Sequence, residues 1–293
     1  MIKRIVEIGN PRYLHLKHGQ LIVEQDKAEV GRVPVEDLGV LILDHPAIVY
    51  TQALLVACWE ANVVVVICDA RHMPSAVLMP MEGHTLHSKV LQAQIAASEP
   101  TQKRLWQQIV QAKINAQAHV LHSVTGDSAP LPQYAKRVKS GDPENFEAQA
   151  ARIYWPRLFG KAFRRDQEAD GINALLNYGY AIIRGAVARA LSGAGLHPAL
   201  GVHHTSQYNA FCLADDAMEP FRPLVDLRVR ELCPNEVAPE LNQPTKAQLL
   251  DVLNWPLAYG DGKFPLLIAM HHYAASIRQV LMGEVRDVCV PAQ

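Results

Sequence analysis

Most features that would assign this 293-residue chain quickly are missing from it. Its net charge is −1, with 28 basic against 29 acidic residues, so no global field draws it to nucleic acid. Its five cysteines, Cys58, Cys68, Cys212, Cys233 and Cys289, are odd in number, scattered and without a CxxC pair. That spacing excludes a disulfide framework and argues against a zinc knuckle; it suits buried free thiols in a reducing cytoplasm. Apolar runs such as residues 63–67 fall far short of the roughly 20 residues that a membrane span needs. The opening MIKRIVEIG lacks the long apolar core and cleavage site of a signal peptide. There is no internal repeat, no low-complexity tail and no glycine-rich phosphate loop in the N-terminal region. No serine–histidine–acid or cysteine–histidine set competes as a nucleophilic centre. What is left is an ordinary globular composition, 49% hydrophobic and 19% charged, with length enough for two domains.

The first 80 residues alternate as strands do. Residues 4–8 read as one strand, and residues 13–16 and 21–24 flank His18-Gly19-Gln20, which predicts a hairpin. Residues 39–43 and 63–67 are aliphatic enough to be buried on both faces, and Thr51 caps a short helix over 51–57. Around 79–83 the apolar period changes from two to near 3.6. The expected fold is therefore α+β: a small β-rich domain over 1–83 and a larger all-α domain over 84–293.

In the helical part, Leu91, Ile95 and Ala96, then Leu105, Ile109, Ile114 and Ala118, form apolar stripes separated at Pro100. Residues 123–139 read as a long connection with one turn or two of helix. Asp142-Pro143 reads as an N-cap followed by a first-turn proline. In the helix after it, Glu147, Ala150, Ala151 and Tyr154 share one inward face, and Pro156 is expected to kink or break the helix near Arg152. Asp170 is expected to cap the central helix, which runs to about Ser192; Asn173 and Asn177 on it are expected to make interhelical hydrogen bonds in the core. Helices over 225–232, 246–253 and 266–283 complete the bundle.

The chemistry concentrates in GLHPALGVHHTSQYNAFCLADDAMEPFRPLVD, residues 195–226. Two adjacent histidines, two adjacent aspartates and a glutamate are set among Leu196, Val202, Phe211, Leu213, Met218 and Phe221. Imidazoles and carboxylates in apolar surroundings need pairing, protonation or a metal. Taken singly they have plain explanations. Glu147 could pair with Arg152, Arg157 or Arg184, and Asp215, Asp216 and Glu219 could cap helices or face solvent. The residues alone do not choose between His203 and His204. Between Arg152 and Arg165 lie five basic residues and no acidic one, which reads as a solvated face or as a phosphate contact. Two carboxylates and one imidazole suit Mn²⁺ as well as Mg²⁺, and such an ion serves phosphodiester chemistry.

The run GL-P-LG-HH followed by N-F-LADD-MEPFRP-VD resembles the CRISPR-associated spacer-acquisition endonuclease/integrase family in its type II form. GDPENFEAQAARIYW at 141–155, LLNYGYAIIRGAVARAL at 175–191, GRVPVEDLGVLILDHP and MEGHTLHSKVLQAQI extend that resemblance in order along nearly the whole chain. The resemblance implies a catalytic, metal-binding triad of Glu147, His204 and Glu219 holding Mg²⁺ or Mn²⁺. It implies insertion of short foreign DNA into a CRISPR repeat array, by attack of a 3′-hydroxyl on a phosphodiester, in the cytoplasm. Double-stranded or branched DNA is the expected substrate, with Arg157, Lys161, Arg164 and Arg165 as candidate contacts. A homodimer formed through the β-rich domain is expected, joined to the small partner subunit of the adaptation complex (Cas-two) and to the type II effector nuclease. The competing readings are a DNA-holding subunit without chemistry and a metal-dependent hydrolase of another substrate.

Overall fold

Residues 4–78, 85–128, 130–235 and 237–292 are described by the structure, a computed structural model. The chain divides into two units, Met1–Met81 and Glu82–Gln293. The junction expected between Gly83 and His84 lies outside the described residues.

In the first unit, β1 (Arg4–Ile8), β2 (Tyr13–Lys17), β3 (Gln20–Gln25), β4 (Ala28–Pro34), β5 (Leu38–Leu43) and β6 (Val49–Tyr50) precede helix α1 (Gln52–Glu60), β7 (Val64–Cys68) and β8 (Pro74–Leu78). β2 and β3 form the expected hairpin, turned at His18 and Gly19, both with positive φ (50° and 71°) as a two-residue turn of primed type requires. A second turn of that kind, at Asp26-Lys27, joins β3 to β4. It lacks glycine, which is why the sequence does not announce it. Two four-stranded sheets result, ordered β4-β3-β2-β6 and β1-β5-β7-β8. In the latter β1, β5 and β7 run parallel and β8 returns antiparallel, and every residue of β5 is buried. Leu14 and Leu21 of one sheet, Leu41 and Val65 of the other, and Leu54 and Cys58 of α1 share one core. Thr51 caps α1 by accepting from the Leu54 amide.

The second unit contains α2 (His87–Ala96), α3 (Glu99–Thr125), α4 (Leu131–Arg137), α5 (Phe146–Phe159), α6 (Ile172–Gly193), α7 (Cys212–Met218), α8 (Arg222–Leu232) and α9 (Gln243–Leu250). The hairpin β9 (Pro256–Tyr259) and β10 (Gly262–Pro265) and the helix α10 (Leu266–Leu281) follow. The chain is thus a β-rich unit followed by a helical one, as expected. Helix α6 is the central one, with sixteen of its 22 residues buried. It meets α8 so closely that a Cβ at Gly179 would stand 2.5 Å from Val225 Cγ1. Among the described residues no helix is long and apolar enough to cross a membrane.

Several local expectations are corrected. Of the thiols, Cys58, Cys212 and Cys233 are buried, but Cys68 is only half-buried and Cys289 is exposed. Helix α2 buries Val90 and Gln94, leaving Ile95 67% exposed, so its apolar stripe does not face the core. Gln94 is buried because its amide bonds His197 O, Leu200 O and the His197 amide. Residues 123–139 hold less connection than expected: α3 continues to Thr125 and is closed by Gly126 at φ 76°, and the turn or two of helix expected in this stretch is α4. The cap of α5 is Asn145, whose side chain accepts from the Ala148 amide. Asp142, in a left-handed turn, accepts from the Phe146 and Glu147 amides from one step further back. Pro156 does not end α5, which continues to Phe159. Gly171, not Asp170, precedes α6, without a side-chain cap.

Candidate active site

Three elements of the helical unit converge on one point. Glu147 lies in the first turn of α5, positioned by the caps just described. Glu219 opens a single 3-10 turn, Glu219–Phe221, between α7 and α8, where Pro220 fits the first turn. Lys113 comes from the middle of α3. Its Nζ lies 2.6 Å from Glu147 Oε1 and 2.5 Å from Glu219 Oε2, so the two carboxylate oxygens stand within about 5 Å of each other. The contact with Glu219 Oε2 is an ion pair without hydrogen-bond geometry. Arg222 Nε donates to the other oxygen, Glu219 Oε1, at 2.8 Å, and its guanidinium lies 4.6 Å from the centroid of the Tyr180 ring. Burial would push the Glu219 carboxyl up; the charges of Arg222 and Lys113 outweigh it and hold the group down at about 2. Burial likewise opposes charge on Lys113, and Glu219 and Glu147 outweigh it, raising its pKa.

Beside this pair, His204 is fixed by Asp216. The fully buried Asp216 carboxylate accepts from the Val202 amide (2.7 Å), the His203 amide (2.9 Å) and the His204 amide (3.2 Å), and from His204 Nδ1 (2.5 Å). A Cβ at Gly201 would fall 2.2 Å from His204 O and 3.0 Å from Asp216 Oδ2, so this loop closes only over glycine. The bond to Asp216 and, to a smaller degree, the charges of Glu219 and Asp215 raise the His204 pKa against its partial burial. A proton on Nδ1 leaves Nε2 with its lone pair, the tautomer that a metal ligand needs. His203 points elsewhere: its ring stacks on Trp106 at 4.1 Å and 2°.

The pairing of Glu147 with an arginine, the plain alternative, is not what occurs; its partner is Lys113. Asp215 neither caps nor stands free but accepts from Asn209 Nδ2 at 2.7 Å. Behind the site, the buried Asp226 accepts from Tyr154 Oη (2.9 Å) and from Tyr180 Oη, and burial pushes its carboxyl up to about 7.

The basic candidates separate. Arg157, at the end of α5, pairs with Asp127 at 2.7 Å, and Lys161 is exposed in the loop that follows. Arg164 donates to the Lys161 and Phe163 carbonyls. Arg165 is turned inward to Asn173 Oδ1 (2.9 Å) and Asn177 Oδ1 (2.5 Å). The stretch is therefore a helix end and a loop rather than a basic helix, and Arg165 is its internal latch.

Sequence reasoning missed Lys113, Asp216, Arg222 and Asp226. For Lys113 a signal existed: it falls four residues after Ile109 and seven after Trp106, on the buried stripe of α3, where a lysine needs an acid.

Among the described residues no three histidine, cysteine, aspartate or glutamate side chains stand together as a ready metal array. The donor set still suits a hard divalent ion. Two carboxylates already share one cation, and an imidazole beside them is held in the ligating tautomer.

A β-rich unit followed by a helical one is also the fold of a casposase bound to integration product. That likeness has a TM-score of 0.79 at 20% identity and covers 98% of this chain and 92% of the other. A Cas6-RT-Cas1–Cas2 complex shares the fold at TM-score 0.72 and 18% identity, over 96% of this chain and 35% of that one. The chain belongs to the family of CRISPR associated protein Cas1, whose family model matches residues 7–242. The CRISPR-associated endonuclease Cas1 of Neisseria meningitidis is 38% identical over 281 residues, 95% of this chain and 92% of the relative.

Proposed function

We propose that the chain is a divalent-metal-dependent DNA endonuclease and integrase that inserts short foreign DNA into a CRISPR repeat array. The observation that carries the reading is the meeting of Glu147 and Glu219, from separate elements, on one cation beside an Asp216-oriented His204. Glu147, Glu219 and His204 Nε2 would hold Mg²⁺ or Mn²⁺. Such an ion would neutralise charge on a phosphate and lower the pKa of the attacking hydroxyl. The protein's own part is positional. Arg222 fixes one Glu219 oxygen, Asp216 fixes the imidazole tautomer, and the caps of α5 aim Glu147.

In the joining reaction a DNA 3′-oxygen forms a new bond to phosphorus as the bond to the departing 3′-oxygen breaks. The proton lost by the attacking hydroxyl balances the one gained by the leaving group. With water in place of the hydroxyl the same site is a nuclease. The relative's name as a CRISPR-associated endonuclease and the casposase's integration product support this chemistry. The type II form, a homodimer formed through the β-rich unit, and a complex with the small Cas-two subunit and the type II effector nuclease belong to the same reading. The Cas1–Cas2 assembly of the structural relative supports the Cas-two partner.

The test is strand joining. Purified protein with a DNA duplex bearing free 3′-hydroxyls and a repeat-containing target should give branched product with Mn²⁺ and none with chelator. Equal product under both conditions rejects the metal-dependent reading.

A further inference from the structure

The two glutamates of the site meet on Lys113, whose side chain is only 12% exposed. Two cations, Lys113 and Arg222, therefore balance two carboxylates. The two differ in how they are held. Arg222 is pinned by Glu219 Oε1 and by the face of the Tyr180 ring. Lys113 Nζ is held by the two carboxylates, at the end of a flexible four-carbon stem. A divalent ion bound at about 2.0–2.6 Å from the same oxygens would need the space that the ammonium fills. It would also stand against the like charge of the ammonium in a poorly hydrated site.

We infer that Lys113 is a resident counter-cation of the Glu147–Glu219 pair, one that a divalent ion must displace, and that this competition sets the metal affinity of the site. The inference rests on the reading of Glu147 and Glu219 as metal ligands. It explains how two acids converge without repelling each other, and why a lysine lies on the buried stripe of α3. Displacement needs movement of one side chain, with the helices that carry the acids left in place.

Two measurements on the full chain test it. Lys113→Met keeps most of the stem and removes the charge. By calorimetric titration the variant should bind Mn²⁺ about tenfold more tightly than the unaltered protein, while melting at a lower temperature without metal. Should the variant fail to fold, the unaltered protein carries the test through labelling of lysines with an acetylating reagent, read by mass spectrometry. Lys113 should be protected without metal and more reactive at saturating Mn²⁺, with exposed Lys161 unchanged as the internal control. A folded Lys113→Met protein that binds Mn²⁺ no more tightly overturns the inference. So does unchanged Lys113 labelling in protein that calorimetry shows to be metal-loaded, and either result leaves the ligand assignment standing. Absence of any Mn²⁺ binding by the unaltered protein removes the ligand assignment and this inference together.

Discussion

Asp216 accepts from three successive backbone amides and one imidazole, so the turn at 202–204 and the aim of His204 are one structure. His203, stacked on Trp106, has a different task. His204→Ala should therefore lower Mn²⁺-dependent strand joining by roughly a hundredfold or more, and His203→Ala should lower it far less and retain Mn²⁺ binding. A side-by-side assay that ranks the two the other way contradicts the assignment.

Asp226 gives a prediction about stability. Its carboxyl titrates near 7 in the fold, well above the ordinary aspartate value, because burial disfavours its charge. Protonated Asp226 thus favours the folded state fully below about pH 4, and that contribution is lost as pH rises through about 7. Asp226→Asn, which cannot ionise, should melt increasingly above the unaltered protein as pH rises from 5 to 8. A melting difference that does not change with pH contradicts the burial argument.

At this scale the sequence exposes only part of the site. Glu147 is legible because helical spacing puts it with Ala150 and Tyr154 on one inward face. Lys113 is legible only through its place on the buried stripe of α3, which calls for an acid without naming it. The burial of Asp216 is not legible, because one of two adjacent acids before MEP usually faces water.

Among elements, the loop after α5 is the one whose role changes most. Asn173 and Asn177, expected to make interhelical hydrogen bonds in a core, bond instead to this loop, through Arg165 and to the Arg164 and Gln167 carbonyls. Arg165→Ala should cost about 1–3 kcal/mol of stability, read as a lower melting temperature. Neutralising Lys161 and Arg164 together should leave melting nearly unchanged. It should weaken DNA binding across sequences, lowering the log–log salt slope by roughly 0.9 per lost phosphate contact. An unchanged slope makes the loop a solvated surface.

The hairpin at His18-Gly19 and the central helix α6 were legible because a turn signal and a long apolar period are local properties. The apolar face of α2 was not: Gln94 is buried by bonds to backbone more than a hundred residues away. The α5 cap shifted from Asp142 to Asn145 because both residues supply oxygen to the first-turn amides. The short β9–β10 pair was missed although Asp261-Gly262 hints at a turn, since each strand has only four residues.

At the scale of the whole molecule, order along the chain was the most legible property. A β-rich unit gives way to a helical one near residue 81, and membership of the Cas1 family extends over residues 7–242. With a net charge of −1, the DNA affinity that the proposed function requires would have to come from local groups around the site, and it should fall steeply with salt.

The central claim is that Glu147, His204 and Glu219 form a metal-dependent strand-transfer centre. Glu219→Gln tests it most directly, because the amide keeps the size and position of the side chain and removes the charge that meets Lys113 and Arg222. The measurement is Mn²⁺-dependent joining of a 3′-hydroxyl duplex to a repeat target, with circular dichroism and melting recorded on the same samples. A folded Glu219→Gln protein that gives no branched product, beside an active unaltered protein, is the predicted result; full joining by that folded variant would contradict the account.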